Sequence, residues 1–364
     1  MAIKSQVNKN HHRHLLTQLV RIRRFEQRCI DLESKIPGFV PAMLGDNGIA
    51  VGIMQALRTQ DRVVTAARSH AYALARGLPM NEVMAELFGR ITGFCRGRGG
   101  PLHIYDRGRH FYSDKALITG GLPMALGLAL ADRLHNRRRV TVCFFNAGPG
   151  RSGDWSASLK LARLWSLPLL AVCDRRLDSS AAELTGADSD SDSDSNSNSN
   201  SNSNSNSNSN SNSNSNSNSN SNNSTKTKTK NGIDKNDRDW AAVELDCLDV
   251  VAVEAAAVQA CDAIRGGQGA QLLAYCSPTV EPARALDGSP RAVPNWPDQG
   301  SIERLSQWLR AHDQLTDAAG LAIETAIDWE LTEAIQFAVA SASETLDSLS
   351  EPVHAPIVGV NPEV

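Results

Sequence analysis

The chain has 364 residues, a hydrophobic content of 41% and a formal net charge of −3. This length suffices for one large or two ordinary domains. The weak negative charge argues against a general electrostatic surface for nucleic acid or membranes. No apolar run reaches the roughly 20 residues that a membrane span requires. We therefore expect neither nucleic acid nor a membrane as a partner.

The central part of the sequence predicts a βαβ unit. Val140–Phe145 is a short apolar run rich in β-branched and aromatic residues, which indicates a buried strand. Residues 146–150 form a glycine-containing turn, and Gly153–Trp165 has the apolar spacing of a helix. Leu167–Cys173 is a second apolar run. Strand, turn, helix and strand in this order are typical of a parallel sheet.

A low-complexity tract follows from Asp188 to Lys230. It consists of Ser-Asp pairs, a long Ser-Asn alternation and Thr-Lys repeats, and it contains no apolar residue. Such a segment cannot bury enough surface to offset the entropy of ordering, so we expect a disordered loop. Closing a long loop adds little entropy cost, and the fold can therefore tolerate it.

The chain regains regular patterns after the tract. Leu248–Ile264 predicts a strand edge followed by a helix, and Gly269–Tyr275 predicts a strand. Ile302–Leu309 and Asp328–Ala340 predict amphipathic helices. The pattern as a whole indicates one α/β domain interrupted by a loop, with a helical C-terminal tail.

Several motifs resemble one enzyme family. Residues 145–153 read Phe-Asn-Ala-Gly-Pro-Gly-Arg-Ser-Gly, and Leu167-Pro168 and residues 174–176 follow in the same register. Met84–Arg90 and Gly97–His103 read M-A-E-L-F-G-R and G-R-G-G-P-L-H. These motifs are similar to those of the alpha subunit of the pyruvate dehydrogenase decarboxylating component and of related acetoin and 2-oxo acid dehydrogenases. The resemblance covers nearly the whole chain outside the tract.

The resemblance implies a thiamine-diphosphate-binding fold, with a mainly parallel sheet, helices on both faces and a helical C-terminal tail. On this basis we assign residues 1–182 and 236–290 to two parts of one domain. Residues 183–235 are the low-complexity insert, and residues 291–364 are a helical C-terminal extension.

The positions that hold Mg²⁺ in the resembled family have changed. They correspond to Ala147 and Arg176, and Asp178 stands where a tyrosine supplies a backbone carbonyl. Magnesium requires oxygen ligands, whereas alanine offers no side-chain oxygen and arginine offers only donors and a positive charge. Asp174 is a weak alternative carboxylate ligand. We therefore predict no metal and no bound cofactor; thiamine diphosphate with Mg²⁺ is the alternative.

Other positions with a chemical role in the family show a similar pattern. The two histidine positions are Pro41 and Ala283, so no catalytic residue is intact. Residual cofactor contacts remain at Arg68, His70, His103, Ile118 and Gly148. For the arginine and the two histidines we favour a packing role. Arg151, Arg175 and Arg176 could bind a phosphate, although a solvated or self-paired cluster is the interpretation we favour.

We interpret the chain as a non-catalytic structural or regulatory paralogue of the alpha subunit, a pseudoenzyme of an oxidoreductase family. One alternative is an active alpha subunit that relies on a beta partner to hold thiamine diphosphate. Another is a drifting gene copy with no selected role. The resemblance implies a beta-subunit-like partner in a heterotetramer, or a homodimer, and a lipoyl acyltransferase core as a further partner.

The sequence also predicts where the protein resides. The seven cysteines contain no C-x-x-C pair, and Cys95, Cys143 and Cys173 lie in or beside apolar runs, which favours reduced thiols in the cytoplasm. The first 25 residues are basic, and a transit peptide to the mitochondrial matrix is the alternative. Because the first helix of the family begins near His14, we expect a solvated basic arm before it, including His11 and His12.

Overall fold

A computed structural model describes ten parts of the chain: residues 2–32, 36, 47–65, 69–113, 121–146, 152–175, 242–276, 300–345, 347–350 and 353. The low-complexity tract lies outside the described residues. The following candidate positions also lie outside the described residues: Pro41, Arg68, Ile118, Ala147, Gly148, Arg151, Arg176, Asp178 and Ala283.

The described elements alternate between helices and strands. The α-helices are α1 (Ala2–Asp31), α2 (Asn47–Gln55), α3 (Ser69–Ala75), α4 (Met80–Leu87), α5 (Gly121–Leu134), α6 (Ser152–Leu164), α7 (Val250–Arg265), α8 (Ser301–Ala311) and α9 (Asp317–Ala340). The strands are β1 (Arg62–Thr65), β2 (Tyr105–Asp106), β3 (Phe111–Ser113), β4 (Thr141–Asn146), β5 (Leu169–Asp174), β6 (Val243–Leu245) and β7 (Gln271–Tyr275).

The described strands form one mixed sheet in the order β2-β3-β1-β4-β5-β7-β6. Every neighbouring pair is parallel except β2 and β3, which are antiparallel. β4 and β5 pair in parallel on either side of α6, so the predicted βαβ unit is confirmed. The sheet and helices together confirm the α/β class. Strands β6 and β7 follow the low-complexity tract and complete the same sheet as β5.

Alternating side chains of the central strands supply two separate cores. On β4, Val142 and Phe144 join a core with α1 to α4 and α7 to α9, whereas Cys143 and Phe145 join a core with α5 and α6. Because successive strand residues point to opposite faces, a strand buried on both faces reads as a continuous apolar run. All six residues of β5 are buried.

A buried carboxylate joins the starts of two parallel strands. Asp61 precedes β1 and is fully buried. It accepts hydrogen bonds from the Val140 N–H at 2.9 Å, the Arg58 N–H at 2.8 Å and Arg265 Nη2 at 2.6 Å. A buried charge is stable only when it is paired and hydrogen-bonded. Asp61 therefore ties β1, the entry to β4 and the end of α7 together.

The C-terminal helices are part of the main core rather than a separate tail. Leu305 and Leu309 of α8 and Leu331 of α9 join the core that contains α1. Ion pairs connect α9 to α1, with Arg21 Nη2 at 2.6 Å from a Glu330 oxygen. Helix α9 also begins earlier than the sequence pattern predicts, because the side chain of Thr316 caps its first turn.

The prediction of a solvated N-terminal arm is wrong. Residues 2–31 form one helix, and His11 Nε2 lies 2.7 Å from a carboxylate oxygen of Glu254 on α7. The His12 ring packs edge-on against the Trp308 ring, with 5.0 Å between centroids. The three N-terminal histidines therefore lie on a helix, and two of them contact other helices. No helix in the described part of the chain has the length and apolar character of a membrane span.

Helix α2 lies close to α7, and to the turn that precedes α7, at two glycines. A Cβ at Gly48 would lie 2.2 Å from the carbonyl oxygen of Cys247 and 2.8 Å from Ser301 Oγ. A Cβ at Gly52 would lie 2.6 Å from a methyl group of Val253. The four-residue spacing places both glycines on one face of α2. Only glycine therefore permits this helix contact.

We predict that Gly48→Ala destabilises the protein by about 1–3 kcal/mol, because the added methyl group meets backbone that cannot rotate away. The matched control is Gly320→Ala on α9, where a Cβ meets nothing within 4 Å. We expect this control to be neutral or stabilising by up to about 1 kcal/mol. Urea unfolding of both variants measures the difference. Equal urea midpoints for the two variants would show that the contact at Gly48 accommodates a methyl group without loss of stability.

Candidate functional site

The carboxyl ends of β4 and β5 lie side by side. Asn146 and Asp174 are register partners at the last position of the two strands, and Asp174 is also the partner of Tyr275 on β7. In open parallel sheets, ligands bind beyond the carboxyl ends of the strands. Sequence positions 147 and 176 follow these two strand ends closely. The carboxyl ends of β4 and β5 therefore lie side by side at the edge where an open parallel sheet binds its ligand.

Two charged side chains at this edge have described environments. Asp174 is 3% exposed. Arg175 donates from Nη2 to Glu244 Oε2 at 2.5 Å, and its backbone N–H donates to the Tyr275 carbonyl at 2.9 Å. The Arg175 side chain is mostly buried by these contacts. Arg175 therefore lies in an ion pair with Glu244. The interpretation of Arg151, Arg175 and Arg176 as a solvated or self-paired cluster stays a prediction.

His70 lies inside the core. It begins the first turn of α3, is fully buried, and its Nε2 lies 3.0 Å from Glu26 Oε1 of α1. Glu26 is also buried, and the ring of Phe25 lies 6.0 Å from the His70 ring. The histidine therefore joins α1 to α3. This contact supports the packing role favoured for His70, which stays a prediction.

His103 lies at the end of a glycine-rich loop and is exposed. It directly follows a single 3-10 turn, Gly100–Leu102. A Cβ at Gly99 would lie 2.0 Å from the His103 carbonyl oxygen, so this turn requires glycine. The exposed ring is open to solvent and to any partner chain. In the described structure His70 and His103 therefore occupy different environments, one in the core and one at the surface.

One carboxylate organises this loop. Glu86 on α4 is fully buried, and its two oxygens accept four backbone N–H groups, those of Cys95, Gly97, Gly99 and Gly100, at 2.7–3.0 Å. Successive N–H groups directed at one anion form a nest. Gly93 completes it, because a Cβ there would lie 2.5 Å from Glu86 Oε2.

The loop then positions two arginines against the C-terminal segment. Arg98 donates from Nε and Nη2 to the two oxygens of Glu344, each at 2.5 Å, and Arg96 Nε lies 3.0 Å from Glu344 Oε1. The hydrogen bond from Arg98 is the main cause that lowers the pKa of Glu344. Arg98 Nη2 also donates to the Ser348 carbonyl at 2.6 Å.

Sequence reasoning noted the Met84–Arg90 and Gly97–His103 motifs and missed the interaction between them. The signal was present: Glu86 is an acid within an apolar helical stretch, where a charge must find a partner. The glycine-rich segment that follows offers backbone N–H groups, and its glycines have no side chain to obstruct a close approach. The same argument applies to Glu26 on α1, a buried acid whose partner is His70.

The thiols are reduced and mostly buried. Cys29, Cys95, Cys143, Cys173, Cys247 and Cys261 are free and buried, and Cys276 is free and exposed. Burial, followed by the charge of Glu86, raises the pKa of the Cys95 thiol to about 12. The prediction for Cys95, Cys143 and Cys173 as buried, unpaired thiols is confirmed. Within the described ranges, no three His, Cys, Asp or Glu residues cluster as a metal site.

The N-terminal half of the chain is similar to known proteins. The family described as dehydrogenase E1 component matches residues 17–175. The alpha subunit of acetoin:2,6-dichlorophenolindophenol oxidoreductase from Bacillus subtilis (strain 168) is 33% identical over 159 residues, 43% of this chain and 48% of that protein. The pyruvate dehydrogenase E1 component subunit alpha from Porphyra purpurea is 34% identical over 181 residues, 47% of this chain and 53% of that protein.

The chain spans about half the length of these curated relatives. A solved structure, benzoylformate decarboxylase from Polynucleobacter necessarius, aligns over 65% of this chain and 34% of that chain, with a TM-score of 0.33 and 12% identity. A likeness this weak supports no argument about the site.

The dehydrogenase E1 component family matches residues 17–175, less than half of the chain, and the described α/β sheet is compatible with this match. Over this segment the chain is E1 alpha-like and similar to the alpha subunits of pyruvate and acetoin dehydrogenases. The resemblance stated from the motifs is confirmed over residues 17–175.

The prediction that the protein takes no cofactor is contradicted by these matches, because the family that the chain resembles uses thiamine diphosphate. The error came from treating the metal ligands as the whole of the cofactor site. Two substitutions at the metal position say nothing about the groups that contact the rest of the cofactor.

Binding of Mg²⁺ depends separately on the donor atoms that the side chains offer at the two metal positions. The sequence places a methyl group at position 147 and a guanidinium at position 176. Neither supplies the oxygen that Mg²⁺ requires. Of the nearby described side chains, the carboxylate of Asp174 is buried at the adjacent strand end. The side chains at positions 147 and 176 therefore do not fit a magnesium ion.

We predict that Glu86→Gln destabilises the protein by about 2–4 kcal/mol, because an amide has one acceptor oxygen and cannot satisfy four N–H groups. Urea unfolding gives the stability. In a Cys276→Ser background, the rate at which Cys95 reacts with a thiol reagent reports opening of the loop, and we expect it to rise.

The control for this prediction is Glu82→Gln, the same substitution one turn earlier on α4, where the side chain is only partly buried. It should change stability by less than about 0.5 kcal/mol. If both variants lose the same stability, the nest around Glu86 contributes nothing beyond an ordinary helix carboxylate.

Proposed function

We propose that this chain is an alpha-type subunit of a pyruvate- or acetoin-type 2-oxo acid dehydrogenase with a thiamine-diphosphate-binding fold. In the proposed assembly it has a structural or regulatory role and performs no catalysis of its own. Its immediate partner is a beta-type subunit in a heterotetramer, and a lipoyl acyltransferase core is the further partner. Cytoplasmic location remains our prediction from the sequence.

The observation that carries the proposal is selective retention of interactions. The described framework keeps its buried polar contacts: Glu26 with His70, Glu86 with the glycine-rich loop, and Asp61 with the strand starts. Loss of any of these would leave a buried charge or N–H group unpaired, at a cost of several kcal/mol. The sequence therefore retains what folding and assembly require.

The positions with a chemical role follow the opposite pattern. General acid–base catalysis requires a titratable side chain within hydrogen-bonding reach of the reacting proton. Pro41 and Ala283, which stand at the two histidine positions of the family, have no titratable group. A subunit with this composition can contribute surface and shape to an active site, but it supplies no proton donor or acceptor at these two positions.

The partner assignment rests on family resemblance and on the described surface of the loop. In the resembled family, the glutamate that activates the thiamine ring comes from the beta subunit. The relatives from Bacillus subtilis and Porphyra purpurea both carry the name of an alpha subunit. His103 is exposed on a loop that Glu86 holds in one conformation, which supports a preformed contact surface.

A second candidate function is an active alpha subunit that relies on its beta partner to hold the cofactor. The observation that favours it is Asp174, a carboxylate 3% exposed at the carboxyl end of β5. It lies beside the strand end that precedes position 147 and could replace one missing oxygen. Turnover in a reconstituted complex separates the two candidates.

We predict that the chain, co-expressed with a cognate beta subunit, forms a stable complex and gives no thiamine-diphosphate-dependent turnover. The assay follows reduction of 2,6-dichlorophenolindophenol with pyruvate or acetoin at saturating thiamine diphosphate and Mg²⁺. An intact alpha subunit with the same beta subunit is the positive control. Turnover that disappears without thiamine diphosphate would establish the second candidate, and absence of any complex would overturn the proposal.

We also predict that Ala147→Asp combined with Arg176→Asn creates a dependence on Mg²⁺ that the unchanged chain lacks. The pair restores an oxygen donor at each position and removes a positive charge. Calorimetry measures thiamine diphosphate binding to the complex with and without Mg²⁺. We expect Mg²⁺ to tighten binding at least about ten-fold only in the double variant.

The matched control for the metal experiment is Arg151→Asn, which removes a positive charge four residues after position 147 in the sequence without adding a ligand at the two metal positions. It should show no new Mg²⁺ dependence. If the unchanged complex already requires Mg²⁺ for binding, the metal is held by other oxygens, and the donor argument is wrong.

A further inference from the structure

A cleft lies at the amino ends of the strands, at the opposite edge of the sheet from Asn146 and Asp174. Its volume is about 380 Å³, and it is bordered by α1, α2, the end of α3 and the turn between β2 and β3. Two of its lining residues are Thr59, which precedes β1, and Arg109, which precedes β3. Because β1 and β3 are parallel, both mark the same edge of the sheet. We call this site the amino-edge cleft.

The cleft combines apolar and polar side chains. Met54, Leu57 and Ala75 supply apolar surface, and two of these three, Met54 and Ala75, are buried. Three further lining residues are polar and uncharged at pH 7: His14, Gln18 and Gln55. His14 is neutral because burial, followed by the charge of His11, lowers the pKa of its imidazole. A cleft of this volume, with apolar surface and a few polar groups, has the size and composition of a small-molecule site.

Arg76, at the end of α3, is the cation of the cleft. Its Nη2 donates to the carbonyl oxygens of Arg58, Thr59 and Asp61 at 2.7–3.1 Å, which fixes the guanidinium in place. Its Nε and Nη1 have no hydrogen-bond partner among the described residues. Burial lowers the pKa of Arg76, and the charge of Asp61 opposes this shift only in part. A fixed guanidinium with two unused donors is suited to an oxyanion such as a carboxylate or phosphate.

The neighbouring charges limit that anion to one negative charge. Arg109 Nη1 donates to Asp106 Oδ2 at 2.6 Å, so the second arginine of the cleft is already paired. Glu82 lies near this pair: burial raises the pKa of its carboxyl, and the charge of Arg109 opposes that shift. Arg76 is thus the one lining cation without a carboxylate partner in the described part of the chain. A doubly charged phosphate would meet one cation and the carboxylates of Asp106 and Glu82, which favours a monocarboxylate.

We propose that the amino-edge cleft binds a small organic acid with one carboxylate and an apolar body. Nε and Nη1 of Arg76 bind the carboxylate, and the apolar body packs against Met54 and Leu57. The lining residues belong to α1, α2, the end of α3 and the turn before β3, so a bound acid connects these elements. A ligand that binds only the folded chain stabilises it by mass action.

Calorimetry on the full chain, without a beta subunit or thiamine diphosphate, tests the proposal with 4-tert-butylbenzoate as the probe. We expect binding at one site with a Kd of about 1 mM or tighter. The uncharged analogue 4-tert-butylbenzamide should bind at least about ten-fold more weakly. Inorganic phosphate should also bind more weakly, because it lacks an apolar body. Absence of benzoate binding, equal binding of the amide, or tighter binding of phosphate would overturn the proposal.

Gln18→Glu tests whether the probe occupies the cleft. The substitution preserves the size of a lining side chain on α1 and adds a negative charge, so benzoate binding should weaken at least about five-fold. The matched control is Gln27→Glu on the same helix, an exposed position outside the cleft. Nine residues place Gln27 about 13 Å along the axis and on the opposite helix face. The control should leave binding unchanged, and an equal loss in both variants would reject the site.

Arg76→Gln removes the cation itself, and we expect the benzoate to bind this variant no better than the amide does. Because Arg76 also binds three backbone carbonyls, urea unfolding establishes whether the variant is folded. If it does not fold, Gln18→Glu and the amide comparison decide the outcome. Unchanged benzoate binding by folded Arg76→Gln would refute the role of Arg76. These measurements need neither turnover nor a partner, so their failure leaves the proposed function intact.

Discussion

The glycine-rich loop and the C-terminal segment both depend on the buried carboxylate of Glu86. Four backbone N–H groups point at its two oxygens, and the loop between Gly93 and Gly100 can approach it so closely only because glycines leave room. A charge in this position is stable only while all of its partners remain in place, so the loop opens or closes as one unit. Through Arg98 and Arg96 the same loop binds Glu344, just beyond α9. The Glu86 carboxylate thus links α4 to the loop, and the loop arginines link it to the segment that follows α9.

Parallel strands could be predicted from the sequence because burial on both faces leaves a plain signal. β4 and β5 read as continuous apolar runs, and their neighbours across the sheet place alternate residues in two cores. The N-terminal helix was harder to predict, since its first turns are basic and polar and are stabilised by contacts distant in sequence, such as His11 with Glu254. The start of α9 was missed for a similar reason: its first turns carry a glycine and exposed side chains, and the cap at Thr316 decides where the helix begins.

The candidate site likewise contains features that depend on residues close in sequence and features that depend on residues distant in sequence. Motif comparison identified the loop, the βαβ unit and the family, because these depend on residues that are close in sequence. It could not determine that His70 points at Glu26, or that Arg175 is paired with Glu244, because both partners are distant in sequence. The error on the cofactor has another origin. Loss of two metal donors was taken as loss of the whole ligand, although a diphosphate cofactor is bound by many groups and each contributes only part of the affinity.

The two faces of helix α9 differ in their contacts. Its inner face packs against α1 and α4, and ion pairs tie it to α1, whereas Leu321, Trp329 and Val339 on its outer face are exposed. Charged residues are the ordinary occupants of an exposed helix face, since they cost nothing there and keep the protein soluble. A tryptophan with most of its surface in water costs solubility and adds nothing to the fold. The inner face of α9 thus accounts for the position of the helix in the fold, through its core contacts and its ion pairs with α1.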